Sequence, residues 1–242
     1  MQAPYTPFYC EENVYQLLSH LSTASPASPS SPSTRPRLFA AFVSNTARTS
    51  LLFHQKASRA GPEQGGYVIW DYHVIAIEVR EGSEGRVVVV RDRDSMLGEE
   101  VELSEYVLET VRPDLFRAGM VDPAWQSRIR LVPAEDFLAN FASDRSHMLF
   151  PPSTALDAAP LPSPSSTAPS YSAQQEKRYI QPIPLYPALQ GPGARARGET
   201  HNLWTQWLDM RLSSELTDEE KDEREGLGTV LENPLDLLSW EW

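Results

Sequence analysis

The segment YVIWDYHVIAIEV, residues 67–79, carries the clearest β-strand pattern in the sequence. Its β-branched and aromatic residues alternate, and successive side chains of a strand point to opposite faces. The two predicted faces carry Ile69, Asp71, His73, Ile75 and Ile77 on one side and Val68, Trp70, Tyr72 and Val74 on the other. The turn-like EGSEG at 81–85 and the apolar RVVVVR at 86–91 follow, so this region predicts a β-hairpin.

The register of this hairpin decides which polar side chains meet across it. If Arg80 pairs with Gly85 across a four-residue loop, His73 lies opposite Asp92, with both side chains on one face. A loop of five residues would place Arg93 opposite His73 instead. The sequence leaves both registers open, because the pattern alone does not exclude a slip of one residue.

Outward from the hairpin, the remaining segments have the lengths and patterns of short helices and strands. The predicted helices are 10–21, 103–111, 134–141 and the acidic segment 213–225, which is followed by a turn at Gly226 and Gly228. The predicted strands are 38–43, a segment near 49–57 and 128–132, and residues 181–187 are extended and stiffened by prolines. Such a mixture predicts an α+β fold, a mainly antiparallel sheet flanked by helices.

The length of 242 residues fits a single domain over 1–242. Two stretches rich in proline and serine, at about 22–37 and 151–173, hold many of the 21 prolines. Their composition cannot pack an apolar core. We therefore interpret both stretches as insertions into one domain.

Composition excludes several classes of function. A net charge of -12 argues against nucleic-acid binding, because contacts with phosphate depend on Lys and Arg. The single cysteine rules out an intrachain disulfide and a thiolate zinc cluster. Since no pair of histidines has the spacing of a helical zinc site, we predict no metal and no cofactor.

The same sequence features lead to expectations about location and assembly. No run of 18 apolar residues is present, so we expect no membrane span. The first ten residues, MQAPYTPFYC, lack the basic and apolar regions of a secretory signal. We expect a cytoplasmic location, with the nucleus as the alternative, and a monomer, since no heptad pattern indicates a partner helix.

Cys10 stands at the start of the predicted helix 10–21. A lone cysteine is most often an inert buried side chain. At a helix N-terminus, however, the dipole and the free backbone N–H groups lower the pKa of a thiol and can stabilise an oxyanion. Glu11 and Glu12 oppose that effect, so a nearby imidazolium would be needed to offset their charge.

His73 could supply this imidazolium. A histidine in an apolar strand is usually a core residue, but the first register of the hairpin would let Asp92 orient it. The result would be a Cys–His–Asp arrangement, with a nucleophile on a helix end, a base on a strand and an orienting acid on the next strand.

His147, in the segment SDRSHM, is the competing base. We prefer a structural interpretation of this segment, as a polar loop in which Asp144 and Arg145 are paired with other residues. The remaining histidines, His20, His54 and His201, have no supporting constellation in the sequence.

Three motifs occur in a characteristic order, namely Tyr9 to Val14, Ile69 to Val74 and Asn140 to Met148. Together with Asp92-Arg93-Asp94-Ser95 after a strand, they resemble the motifs of the protein N-terminal glutamine amidohydrolase family. The resemblance covers most of the chain outside the two insertions. It extends to Tyr186-Pro187 and Asn202-Leu203, and more weakly to Gly226-Leu227-Gly228.

The resemblance implies a papain/transglutaminase-like cysteine hydrolase with Cys10 as nucleophile, His73 as base and Asp92 as orienting acid. Arg93 departs from the hydrophobic residue of the family's motif, which leaves Asp94 as an alternative to Asp92. The implied reaction converts the N-terminal glutamine of a protein or peptide to glutamate and releases ammonia through a thioester. The implied downstream partner is the arginyl-transferase of the N-degron pathway.

A requirement for a free α-amino group implies an acid that binds it, and the candidates are Glu11, Glu12 and Asp71. Trp70 is a candidate for lining the site, although its strand spacing favours a core position. Two rival functions stay open. A papain-like peptidase or a transglutaminase would use the same triad on another reaction, and the Pro/Ser tracts and acidic tail would also suit an inactive interaction module.

Overall fold

A six-stranded antiparallel sheet forms the centre of the computed structural model, which describes residues 3–24, 36–82, 85–150 and 179–242. The strands are β1 (Arg37–Ser44), β2 (Ser50–Leu52), β3 (Val68–Trp70), β4 (His73–Gly82), β5 (Gly85–Arg91), β6 (Val101–Glu102), β7 (Arg128–Pro133), β8 (Ala142–Ser143), β9 (Leu189–Gln190) and β10 (Thr229–Leu231). The sheet has the strand order β10-β7-β1-β4-β5-β6. The pairs β2–β3 and β8–β9 form separate two-stranded ribbons.

The helices are short apart from the first. They are α1 (Cys10–Ala24), α2 (Leu103–Tyr106), α3 (Pro113–Arg117), α4 (Ala134–Asn140), α5 (Pro192–Ala196) and α6 (Asp218–Asp222). Two π turns add to them, Val107–Val111 and Leu203–Trp207. The predicted α+β class, a mainly antiparallel sheet with flanking helices, is confirmed.

Apolar side chains cover both faces of the sheet. Side chains of α1 and α4 pack over one face, and side chains of α2 and the C-terminal segment pack over the other. The alternation along β1 explains this division, because Ala40 and Phe42 belong to the first cluster while Ala41 and Val43 belong to the second. All four residues are essentially inaccessible to solvent, so β1 is a central strand buried on both sides.

The single strand predicted at 67–79 is wrong, since this segment forms two strands. β3 ends at Trp70 and pairs with β2, whereas β4 begins at His73 and pairs with β1. Between them, the Asp71 carbonyl accepts a hydrogen bond from Ser44 Oγ (2.6 Å), and the Asp71 side chain accepts one from the Tyr72 N–H (2.9 Å). These local bonds replace ladder bonds, and the alternation of apolar residues carries no sign of them.

The observed hairpin register differs from both predicted registers. Gly82 pairs with Gly85 and Arg80 pairs with Val87, so the ladder continues into the predicted turn. Gly85 has a φ of 116°, a conformation that glycine adopts readily. The connection between the paired strands is therefore shorter than the predicted loops of four and five residues. β5 ends at Arg91, so no ladder pair brings His73 opposite Asp92.

Most other elements lie near their predicted positions. The strands predicted at 38–43, 86–91 and 128–132 and the helices predicted at 10–21 and 134–141 are confirmed as β1, β5, β7, α1 and α4. The predicted helix 103–111 is α2 continued by a π turn, while the segment near 49–57 keeps only the three residues of β2. The acidic helix 213–225 is reduced to a turn, Ser213–Glu215, and α6.

The insertion predicted at 151–173 and most of the one at 22–37 lie outside the described residues, so their interpretation stays a prediction, as does the single domain. Residues 181–187 contain neither helix nor strand. Within the described ranges, none of the helices has the length and apolar character needed to cross a lipid bilayer.

Buried Arg130 ties the C-terminal part of the chain to the sheet. Arg130 lies within β7. Its guanidinium donates hydrogen bonds to the carbonyl oxygens of Trp207 (3.0 Å), Leu227 (2.9 Å) and Asp209. Gly228 follows directly with a φ of 71°, and a Cβ at this position would overlap the Leu131 carbonyl. The turn into β10 therefore requires glycine both for its backbone conformation and for its close approach to β7.

We predict that Gly228→Ala lowers the free energy of unfolding by about 2–5 kcal/mol, because it adds steric overlap to the strain of a left-handed alanine. The matched control is Gly119→Ala. Gly119 also has a positive φ, 68°, but no atom lies within 4 Å of the added Cβ. The control should lose only about 1–2 kcal/mol. Urea unfolding followed by circular dichroism measures both variants, and equal losses would contradict the steric argument.

Candidate active site

Cys10 is the first residue of α1, and the preceding loop is held firmly against the helix. The Asn13 N–H donates to the Tyr9 carbonyl (2.9 Å), which makes this the first helical hydrogen bond. The Asn13 side chain binds both the N–H and the carbonyl of Thr6, each at 2.8 Å. The N–H groups of the first three helical residues therefore lack intrahelical acceptors, and the Cys10 side chain at this helix end is buried.

His73 and Asp92 meet in the interior, next to this helix end. His73 Nε2 lies 3.1 Å from Asp92 Oδ1, and both side chains are almost completely buried. Asp92 follows β5 and turns back, with its Oδ1 accepting a hydrogen bond from the Asp94 N–H (2.9 Å) and its Oδ2 one from the Tyr106 hydroxyl (2.8 Å). The turn after the strand, not the ladder, brings the carboxylate to the imidazole.

The two groups shift each other's pKa toward an ion pair. Burial alone would raise the pKa of Asp92, but the charge and hydrogen bond of His73, with those of Asp94 N–H and Tyr106, hold it below its usual value. Burial alone would lower the pKa of His73, but the Asp92 carboxylate raises it above its usual value. The Asp92 carboxylate thus stabilises the imidazolium that forms when His73 takes up a proton. Its Nδ1 has no hydrogen-bond partner among the described residues.

The Cys10 thiol has a different environment. Burial raises the pKa of Cys10 well above its usual value, and Glu11 and Asp94 raise it further. The backbone N–H of Val74, the residue after His73, acts in the opposite direction. The Cys10 thiol donates a long hydrogen bond to Glu11 Oε2, with a sulfur–oxygen distance of 3.7 Å. Burial and these charges therefore favour the protonated thiol over the thiolate.

Trp70 covers the imidazole of His73. The two rings are stacked with centroids 5.4 Å apart and an angle of 18° between their planes. The Trp70 indole N–H donates to Gln55 Oε1 (3.1 Å), which fixes the ring, and Trp70 itself is half-buried. Trp70 is therefore both part of the apolar packing and a wall of the site.

Of the three acids considered for ligand binding, Glu12 is already neutralised. Arg145 donates to both of its carboxylate oxygens, at 2.9 and 2.8 Å, and the pair is buried. The same guanidinium donates to the carbonyl oxygens of Tyr186 (3.0 Å) and Pro187 (3.3 Å). Arg145 thus joins the first turn of α1 to residues 184–187, and Glu12 has no free charge to offer a ligand.

Asp71 and Glu11 remain available to a cationic ligand, and they differ in exposure. Asp71 is exposed at the bend between β3 and β4, while Glu11 is fully buried beside Cys10. Partial burial of the carboxyl raises the pKa of Asp71, and Glu11 adds to this increase. The two carboxylates therefore create a negative region beside the thiol, with Asp71 at its solvent side.

The sequence interpretation missed a cluster behind Glu11. Glu11 Oε2 accepts a hydrogen bond from the Tyr72 hydroxyl (3.0 Å), and Glu11 Oε1 lies 3.4 Å from His147 Nε2. The His147 ring stacks on that of His201, with centroids 5.2 Å apart. The only sequence signal was the motif around His147, because residues 11, 147 and 201 are brought together by the fold alone. Arg145 is paired as predicted, whereas the expectation that His201 stands apart is wrong.

His73, Asp92 and Asp94 are also the residues that could hold a metal ion within the described part of the chain, since one ligand atom of each lies within 4.8 Å of the others. These side chains are engaged in hydrogen bonds, including one from the Tyr5 hydroxyl to Asp94 Oδ1 (2.5 Å). Those hydrogen bonds explain why the three side chains lie close together. The absence of a metal stays a prediction.

Comparison with known proteins gives these residues a context. The model of the N-terminal glutamine amidase family matches residues 5–235. Proteins named protein N-terminal glutamine amidohydrolase are similar to the chain. The one from Oryza sativa subsp. indica is 38% identical over 144 residues, 60% of this chain and 58% of the relative. The one from Arabidopsis thaliana is 39% identical over 147 residues, 61% of each chain.

A third relative with the same name, from Caenorhabditis briggsae, is 35% identical over 162 residues, 66% of this chain and 75% of the relative. The chain thus spans about three fifths of the length of the two plant relatives. The family match covers more of this chain than any of these three relatives does. Its range, residues 5–235, includes Cys10, His73, Asp92 and the cluster behind Glu11. With more than half of its length matched, the chain belongs to the N-terminal glutamine amidase family.

Proposed function

We propose that the protein hydrolyses the side-chain amide of an N-terminal glutamine in proteins and peptides, which yields glutamate and ammonia. The observation that carries the proposal is the buried contact of 3.1 Å between His73 and Asp92, beside the helix end that bears Cys10, in a chain of this family. Cys10 is the nucleophile, His73 the general base and acid, and Asp92 the residue that orients His73.

The reaction begins with transfer of the thiol proton of Cys10 to His73. Nδ1 of His73 is the nitrogen available for this proton, because Nε2 faces Asp92. The thiolate then attacks the carboxamide carbon of the substrate. The unpaired N–H groups at the start of α1 stabilise the negative charge that develops on the carboxamide oxygen.

His73 next donates its proton to the leaving nitrogen, so ammonia departs and a thioester with Cys10 remains. Neutral His73 takes a proton from water, and the resulting hydroxide attacks the thioester carbon. The thiolate leaves and the product is a glutamate side chain. Trp70, stacked on His73, limits the access of bulk water to the imidazole during both proton transfers.

Recognition of the substrate terminus falls to Asp71, assisted by Glu11. The α-ammonium group needs a carboxylate that a peptide can reach, and Asp71 is exposed while its charge still acts on the Cys10 thiol. Glu12 has no part in this step, because Arg145 already neutralises it. An apolar pocket separates asparagine from glutamine by only about 1–3 kcal/mol per methylene, so rejection of asparagine rests on placing the carboxamide over the thiol.

The wider setting is part of the same proposal. A nucleophile on a helix end, a base on a strand and an acid in the turn after the next strand support a papain/transglutaminase-like fold. The glutamate product would be extended by an arginyl-transferase of the N-degron pathway. We propose the cytoplasm or the nucleus as the location of the protein, and the monomer as its working form.

Ammonia release from a peptide beginning with glutamine tests the proposal directly. We expect release from the free peptide, none from the same peptide acetylated at its N-terminus, little from an asparagine-initiated peptide, and none with Cys10→Ser. Cleavage of the peptide chain or cross-linking without ammonia would contradict the proposal in favour of a peptidase or a transglutaminase. Absence of all three activities would favour the interaction module.

Asp92→Asn should lower kcat by about 10²–10⁴-fold and alter the pH profile. The Asp92 carboxylate raises the pKa of His73, so its removal lowers that pKa. Because His73 must be neutral to accept the thiol proton, the acidic limb of the pH–rate profile moves to lower pH. Tyr106→Phe keeps the charge of Asp92 and serves as the control, with its acidic limb near the original position. An unshifted limb in Asp92→Asn would assign the orienting role to another acid.

Asp71→Asn should raise KM for glutamine peptides by about 10–100-fold with a smaller change in kcat, because a uniform binding contact of about 1.4–2.8 kcal/mol is lost. The charge-matched control is Glu63→Gln, at an exposed acid on the turn Pro62–Gln64, which should leave KM unchanged. Steady-state kinetics of ammonia release measures both. A fall in kcat alone would remove Asp71 from the binding step.

A further inference from the structure

Glu11 occupies a position that appears unfavourable for a cysteine hydrolase. Its carboxylate is completely buried, and Oε2 accepts a hydrogen bond from the Cys10 thiol, with a sulfur–oxygen distance of 3.7 Å. That oxygen is held in place by the Tyr72 hydroxyl (3.0 Å). The other oxygen, Oε1, accepts no hydrogen bond from the described residues. A negative charge next to the nucleophile opposes formation of the thiolate.

We propose that Glu11 makes the reaction conditional on a free amino group, because its carboxylate retains the Cys10 proton in the empty site and an ammonium group bound beside it relieves this effect. The inference rests on the proposed function, since it assigns a second role to the acids that receive the substrate terminus. Glu11 is then a specificity-determining residue whose action is exerted on the nucleophile.

The proton balance supports this role. Activation moves one proton from the sulfur of Cys10 to His73, breaking the S–H bond and forming an N–H bond, with no further reactant. A charge that acts equally on both groups would leave this transfer unchanged. Glu11 contacts the thiol, whereas the charge that dominates at His73 is that of Asp92. Neutralising Glu11 therefore lowers the pKa of Cys10 more than the pKa of His73 and favours the thiolate.

Among the charged groups around the thiol, Glu11 and Asp71 are the ones whose negative charge a bound ammonium group can offset. Asp94 also raises the pKa of Cys10, but its carboxylate is bound by the Tyr5 hydroxyl. On the far side of Glu11 stand two histidines, His147 and His201. Burial and the adjacent His147 lower the pKa of His201, whose ring stacks on that of His147.

Asp71 provides the place where a substrate cation enters this field. It is exposed, and the charge of Glu11 raises its pKa. The charges of Glu11 and Asp71 both raise the pKa of Cys10. An ammonium group at Asp71 lies on the solvent side of the same negative region. The positive charge therefore weakens the negative potential at the thiol, without any contact between the ammonium group and the buried Oε1 of Glu11. An acetylated terminus carries no charge and leaves the proton on Cys10.

The single cysteine of the chain gives a direct test, because alkylation by iodoacetamide reports on Cys10 alone. The alkylation rate is measured by mass spectrometry between pH 5 and pH 9, since the thiolate is the reactive form. Saturating glycinamide supplies a free amine that has no side chain to cover the sulfur, and N-acetylglycinamide is its neutral counterpart. We expect glycinamide to increase the rate at pH 7 by about 5–10-fold and the acetylated compound to leave it unchanged.

Glu11→Gln should raise the rate without ligand at pH 7 by about tenfold, which corresponds to a fall of one unit in the pKa of the thiol. The variant should also lose its response to glycinamide. Glu135→Gln, at an exposed acid in the first turn of α4, is the matched control and should behave like the unaltered protein. If Glu11→Gln does not fold, as judged by circular dichroism, the two ligands on the unaltered protein decide the question.

Equal alkylation rates with both ligands, or a lower rate with glycinamide, would overturn the proposal, as would a Glu11→Gln thiol that reacts more slowly. These outcomes are separable from failure of the proposed function. Ammonia release from glutamine peptides without any effect of glycinamide would refute the coupling alone. An effect of glycinamide without ammonia release would refute the amidase and retain the coupling.

Discussion

The packing of α1 against β4 is the constraint on which the active site depends. The helix carries Cys10 and the strand carries His73, so the relative position of the two elements sets the position of the proposed nucleophile and base. Val14 and Leu18 of α1 and Val74 of β4 belong to one buried cluster, which a change of register in either element would break. The apolar core therefore does more than stabilise the fold, since it holds the reactive side chains together.

The parts of this arrangement that follow a local pattern could be predicted from sequence. The apolar face of α1 and the run of valines in β5 each satisfy one periodicity, and both elements lie where their patterns indicate. The contact between His73 and Asp92 was anticipated for the wrong reason, because it arises from the turn after β5 and not from a ladder pair. The break at Asp71 was invisible, since apolar alternation continues across a bend made by two hydrogen bonds.

Buried charge was the least predictable property. Glutamate side chains are rarely buried completely, yet those of Glu11 and Glu12 are. Their partners lie more than 130 positions away, at Arg145 and His147, and no pattern within the helix indicates them. Two adjacent acids of the same helical turn thus differ in their partners, because one is neutralised by a guanidinium and the other faces a thiol.

The ion pair between Glu12 and Arg145 also has a consequence for the order in which the protein assembles. It joins residues separated by 133 positions and gathers the carbonyl oxygens of Tyr186 and Pro187 around the same guanidinium. Closing such a long segment of chain carries an entropic cost that is recovered only when these distant contacts form. The first turn of α1 acquires its buried counter-ion only at that stage. Chains that have collapsed without completing this step would contain the helix but hold its nucleophile in an unfinished site, so catalytic competence would report on completed folding.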